Sequence, residues 1–292
     1  MNWFPDVTQA KVRSWLKSCL AFMVGLAIVS WGSTAFSWSM PTDGLQLKHD
    51  PGSNTELAQA GKRDVPFQVH PLPPTLAQWQ DKQASGDYFD QIQPVNVGYL
   101  VWSDFPVKVF VEPVETNPPN AFTAQRSQGW VKAVLQAIQE WNAYLPLTVV
   151  NQAEEADIII WRSTPPLRLS SEPSNSSQPT PSPRFQIRAR NAETRYEIYV
   201  KRTPAETKAA TAIALAHRFT IYLRPDQPLA YTLATARHEL GHALGIWGHS
   251  LLPTDALYTT QVAQPPTISV RDVNTLKRVY EQPTRLGWQM SS

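Results

Sequence analysis

Four side chains within the stretch HELGHALGIWGHS carry groups that bind metals and move protons: His238, Glu239, His242 and His249. His238 and His242 are four residues apart, so on a helix their imidazoles project from one face and can grip one metal ion. Neutral imidazole nitrogen is a favoured zinc ligand, and three protein ligands with one open position define a catalytic site. Glu239 follows the first ligand, turned by about 100° around a helix of roughly 3.6 residues per turn. That offset keeps its carboxylate out of the ligand set but beside it, where it can take a proton from water and return it to a leaving amine. A zinc ion lowers the pKa of its water to about 7 and polarises a carbonyl. The chemistry these parts supply is hydrolysis of an amide bond.

The third ligand must come from off the helix. Gly245, three residues after His242, is placed to end the helix in a left-handed conformation. His249 follows in the returning loop. Asp255 and, more remotely, Glu281 are the alternatives, and neither follows a glycine-bearing loop. HELGHALG followed closely by GHS resembles the metzincin zinc peptidases, and within them the matrixin-like bacterial group, whose pattern is H-E-x-x-H-x-x-G-x-x-H. Here Gly248 holds the eleventh position and His249 the twelfth. The extra residue falls after the helix, where a bulge absorbs it; inside the helix it would rotate a ligand out of register.

The resemblance implies a metzincin-like α+β fold, with a twisted mixed sheet, a backing helix, an active-site helix and a small C-terminal part ending in a helix. It also implies an apolar turn beneath the zinc. That turn falls on TDALY, with Leu257 where the family carries Met and Tyr258 after it; Leu fills a similar apolar volume. The family's edge strand lies antiparallel to an extended substrate, which by element order places that role on residues 195–201. A cysteine switch cannot operate, because Cys19 is the only cysteine and lies in the N-terminal apolar run. The resemblance covers about residues 98–282 in element order and is specific from 237 to 258 and in the last helix.

The elements that must position these residues are legible as periods. Residues 107–111 alternate as a strand, 147–150 and 156–161 follow as two more, and the last is apolar on both faces, as a central strand is. Residues 195–201 and 218–223 read as further strands. Between the first two strands, residues 124–143 place Trp130, Val131, Val134, Leu135, Ile138 and Trp141 on one helical stripe. Pro228 opens the helix that carries the histidines, with Leu229, Leu233, Leu240 and Leu244 on its buried face. Ser269 and Asp272 resemble a capping box for a last helix that stops before Pro283.

Composition sets the frame. In 292 residues, 42% are hydrophobic and 17% charged, enough for a sizeable core. Net charge is +2, and the excess sits in Lys11, Arg13 and Lys17 before the apolar run of residues 19–31. The remainder is balanced, so no nucleic-acid partner is expected. Residues 1–37 read as a signal peptide or, if retained, an N-terminal membrane anchor. Export to the periplasm or the extracellular space follows in either case. Residues 38–97 read as a proline-bearing polar tether or pro-segment, and 98–292 as the catalytic domain. Within the latter, residues 163–186 read as a disordered insertion, with a chance glycosylation triplet at Asn175. His49, His70 and His217 have no ligand spacing. The expected protein is an exported, monomeric zinc-dependent metalloendopeptidase acting on peptide or protein substrates. The alternative is an inactive zinc-binding interaction domain, and hydrolysis of a non-peptide amide is a third reading.

Overall fold

The computed structural model describes residues 65–166, 190–204 and 211–289. The N-terminal segment 1–37, the start of the expected tether, most of the 163–186 insertion and Asn175 lie outside the described residues. What is described is an α+β body around one mixed sheet. Its strands are β1 (Val107–Val111), β2 (Leu147–Val150), β3 (Ile158–Trp161), β4 (Ala192–Pro204) and β5 (Thr211–Leu223), in the order β2-β1-β3-β5-β4. Three pairings are parallel, and β4 alone runs antiparallel, at the edge against β5. In β3, Ile158 and Ile160 are fully buried while Ile159 and Trp161 are half-covered. This is the central, two-sided strand expected of an unbroken apolar run. The two strands of the β4–β5 hairpin extend well beyond the short alternating runs that announce them.

Among the described residues, four α-helices accompany the sheet: α1 (Pro74–Gln78), α2 (Ala121–Asn142), α3 (Leu229–Ala243) and α4 (Val270–Tyr280). α2 starts where the Asn120 side chain accepts the Thr123 N–H at 2.8 Å. Its apolar stripe buries Trp130, Val134, Ile138 and Trp141, while Val131 is half-covered and Leu135 faces outward, contrary to the expected stripe. Trp141 is the link to the functional helix, donating its indole N–H to the Arg237 carbonyl at 2.9 Å. Beside it, the Arg237 guanidinium pairs with Glu140 at 2.9 Å. That cation holds the Glu140 carboxyl below its ordinary range despite part burial.

α3 begins directly after Pro228 and buries Leu240 and Leu244 completely, with Leu233 half-covered. Leu229 departs from the expected buried face and is 56% exposed. At the first turn it reaches sideways to α2 instead, where a Cβ on Gly129 would lie 2.8 Å from its Cδ2. The glycine is the socket.

The boundary expected at residue 97 is not a structural one. From Val65 onward the supposed tether is part of the common core, contributing buried Val65, Leu76, Tyr88, Ile92 and Val97. Gln68 pairs with Thr284 near the far end of the chain. His70, placed in the tether by sequence, stacks on Trp288 at 4.1 Å and hydrogen-bonds the Leu286 carbonyl at 2.7 Å. No helix among the described residues is long and apolar enough to cross a membrane.

α4 carries the predicted capping box. Ser269 Oγ accepts the Asp272 N–H at 3.0 Å, and the Asp272 carboxylate accepts the Ser269 N–H at 2.7 Å. Asp272 is fully buried because it does more than cap. It also accepts the Tyr88 hydroxyl at 2.5 Å and the Ala256 N–H at 2.9 Å. Replacing it with Ala strands several buried donors as well as losing a cap. Asp272→Ala should therefore lose about 2 kcal/mol or more of stability, read as a lowered urea midpoint. An unchanged midpoint would show that these bonds contribute little.

Candidate metal centre

The helix end does the first positioning. Gly245 has φ +123°, and a Cβ there would lie 3.0 Å from the Leu100 carbonyl oxygen, so both conformation and space require glycine. The Ile246 N–H returns to the Gly241 carbonyl at 3.0 Å and the Gly245 N–H to His242 at 3.1 Å. These two bonds form a Schellman turn. The turn brings the Ile246 carbonyl back under the helix, where it accepts the Nδ1 proton of His242 at 2.8 Å. In the same way the Ala256 carbonyl accepts the Nδ1 proton of His238 at 2.9 Å.

Those carbonyls decide the tautomers. A carbonyl can only accept, so each Nδ1 carries the proton and each Nε2 presents a lone pair. The two Nε2 atoms lie 3.1 Å apart, too close for two lone pairs in a buried site without a cation between them. Two nitrogens about 2.0–2.1 Å from one tetrahedral zinc-sized ion would stand roughly 3.3 Å apart, close to the spacing observed. His249 completes the group: ring centroids lie 5.2 Å from His238 and 4.8 Å from His242. One ligand atom from each of the three lies within 4.8 Å of the others. The donor set fits a divalent metal ion.

Burial keeps the three imidazoles neutral. His238 and His242 are held below the ordinary histidine value by burial, His242 well below and further depressed by its two histidine neighbours. His249, at the solvent edge, is still lowered to about 4 by partial burial and by His238. A lowered pKa on a base removes the proton that would compete with a cation, so the cluster stays available to metal as pH falls through 6.5.

The loop bearing His249 is fixed from both sides. Upstream, Gly248 pairs with Ile92; downstream, Ser250 pairs with Tyr258 and donates its N–H to the Leu257 carbonyl at 2.9 Å. The TDALY turn thus lies against the metal loop. Leu257 is fully buried beneath α3, its Cδ2 filling the space where a Cβ on Gly241 would lie 2.6 Å away. Tyr258 lines the cavity beside the cluster. Asp255, an alternative third ligand by sequence, is committed elsewhere. Its carboxylate accepts the Ser250 hydroxyl at 2.5 Å and Arg271 Nε at 3.1 Å. Glu281 is exposed at the end of α4. Neither belongs to the cluster.

Glu239 is buried next to the cluster, and its Oε2 accepts the hydroxyl of Thr194 at 2.6 Å. Burial raises its carboxyl to about 7, helped by the nearby Glu193 and opposed by the Thr194 hydrogen bond. His238 and Glu239 open together onto a cavity of about 270 Å³. Its walls include Tyr231 and Ala234 of α3, and Tyr258, Val262 and Pro266 after the turn. Thr194 was missed by sequence reasoning, which placed the edge strand from residue 195. A threonine in a half-polar strand gives no local sign that it faces an acid 45 residues away. Comparison with protein families and with curated proteins finds no match for this chain.

Metal content separates the third-ligand candidates. Asp255→Ala should keep one bound divalent ion per chain, and His249→Ala should lose it or bind it far more weakly; the reverse pattern would overturn the assignment. The turn has its own test. Leu257→Met should cost less than about 1.5 kcal/mol, whereas Leu257→Ala should cost roughly 2–5 kcal/mol and loosen the metal, both read by urea denaturation and metal titration.

Proposed function

We propose that this chain is an exported, monomeric zinc-dependent metalloendopeptidase of metzincin-like fold. The observation that carries the reading is that a metal-ligand histidine and a buried acid open onto one cavity at the edge of the sheet. Three neutral imidazoles with no cysteine suit zinc, and the open side of a three-ligand set is where catalysis needs it. When bound, zinc would supply Lewis acidity, polarising the scissile carbonyl and making the attacking water acidic at neutral pH.

The chain's own groups supply the rest. Glu239 has Oε2 engaged by Thr194, which leaves Oε1 to accept a proton from the attacking water. With its pKa raised to about 7, the same carboxyl can hold that proton and pass it to the departing amine at neutral pH. β4 is an edge strand whose described sheet partner is β5, so its outer backbone is suited to an extended peptide laid alongside. The cavity then receives one substrate side chain. Its wall combines the apolar surfaces of Tyr231, Val262 and Pro266 with the polar groups of Arg190, Thr259 and Gln261, so it offers a side chain both apolar contact and hydrogen-bond partners.

A mixed peptide library incubated with the zinc-loaded protein tests both parts. Cleavage should occur, with a restricted set of side chains concentrated at one position beside the cut. Glu239→Gln keeps the size of the side chain but removes the proton acceptor. It should retain zinc while turnover falls about 10²–10⁴-fold. Zinc binding without cleavage by either protein would instead support an inactive interaction domain.

A further inference from the structure

The metal loop holds one residue more than the H-E-x-x-H-x-x-G-x-x-H spacing, and the fold shows what receives it. Gly248, the residue before His249, pairs with Ile92 in an antiparallel bridge. The neighbouring Gln93 N–H donates to the Trp247 carbonyl at 3.3 Å. The contact is backbone on backbone: a Cβ on Gly248 would lie 2.3 Å from the Gln91 carbonyl oxygen and 3.0 Å from Ile92 Cδ1. Gly248 is therefore needed for close approach and not for a left-handed turn.

The partner strip is itself tied down. Residues 89–91 form a short 3-10 turn after Tyr88, whose N–H donates to Thr275 Oγ1 at 3.0 Å and whose hydroxyl donates to Asp272 at 2.5 Å. Arg271 donates to the carbonyls of Ser85 at 3.2 Å and Asp87 at 3.0 Å, and Arg278 pairs with the Asp87 carboxylate at 2.9 Å. Asp272 also binds the Ala256 N–H, and the Ala256 carbonyl orients His238. One helix, α4, thus anchors both the strip beside His249 and the turn beneath His238.

We propose that residues 85–93 are a positioning element of the metal site, setting the place of His249 through Gly248, and that they are a standing part of the working protein, not a removable pro-segment. Gln91, Ile92 and Gln93 are the positioning residues. The proposal rests on His249 being a zinc ligand and deepens that reading.

The test is zinc affinity of the full chain, measured by competition with a chromogenic chelator. Gly248→Ala pushes a methyl into the Gln91 carbonyl. Gln93→Pro removes the donor to Trp247 and adds no bulk at Gly248; Ile92, at φ −94° and ψ 128°, already has the extended backbone that precedes a proline. Each variant should bind zinc about 10–100-fold more weakly, the range for groups that orient ligands. In a His249→Ala chain neither change should weaken zinc further, because the ligand they place is gone. A merely structural strip would show the opposite, with equal losses in both backgrounds, and that overturns the proposal. So does wild-type affinity in a folded variant; if Gly248→Ala does not fold, Gln93→Pro decides. Wild-type protein that binds no zinc removes the zinc reading itself, and this proposal with it. The intact mass of the active species is a second arm: it must include residues 85–93, and activity in a form beginning after residue 93 contradicts the proposal.

Discussion

Two backbone carbonyls, of Ala256 and Ile246, hold the Nδ1 protons of His238 and His242 and leave two Nε2 lone pairs facing each other at 3.1 Å. Much of the surrounding fold serves to put those carbonyls there. The Ile246 carbonyl arrives because Gly245 takes a positive φ and closes a Schellman turn. The Ala256 carbonyl arrives because the buried Asp272 captures the Ala256 N–H while Leu257 fills the space under Gly241. Burial works against protonating either ring, so two lone pairs held this close are suited to sharing a cation. A metal ion taken up there would be coupled to the local fold.

The acid beside the pair is governed by the same burial acting in the opposite direction. Removing water lowers the pKa of an imidazole and raises that of a carboxyl. One desolvated pocket thus favours neutral imidazoles and raises the glutamate to about 7. Thr194 tempers the second effect by donating to Oε2, and it belongs to the strand that forms the sheet's edge. The proposed substrate track and the proposed proton carrier are therefore joined directly through Thr194.

Local features were legible in the sequence. The i, i+4 histidines, the glycine that ends their helix, the Ser269–Asp272 capping box and the two-sided central strand all follow from short-range rules, and the structure contains each of them. Leu229 and Leu135 show where a period misleads: both fit an apolar stripe, yet one lies at a helix start and the other on an uncovered flank. The role of residues 65–97 was not legible because its evidence is long-range. Tyr88 meets Asp272 and Gln68 meets Thr284, and no local period announces a contact across most of a chain. Proline and polar residues there read as a tether, although the apolar residues among them reach the core. Thr194 escaped for the same reason.

The central claim is that His238, His242 and His249 together hold one zinc ion. X-ray absorption at the zinc edge of the purified, zinc-loaded protein tests it most directly. Three imidazole nitrogens at about 2.0–2.1 Å with one lighter oxygen in the fourth position is the predicted first shell. A shell with two imidazoles and a carboxylate, or protein that retains no zinc after gel filtration, would contradict the account.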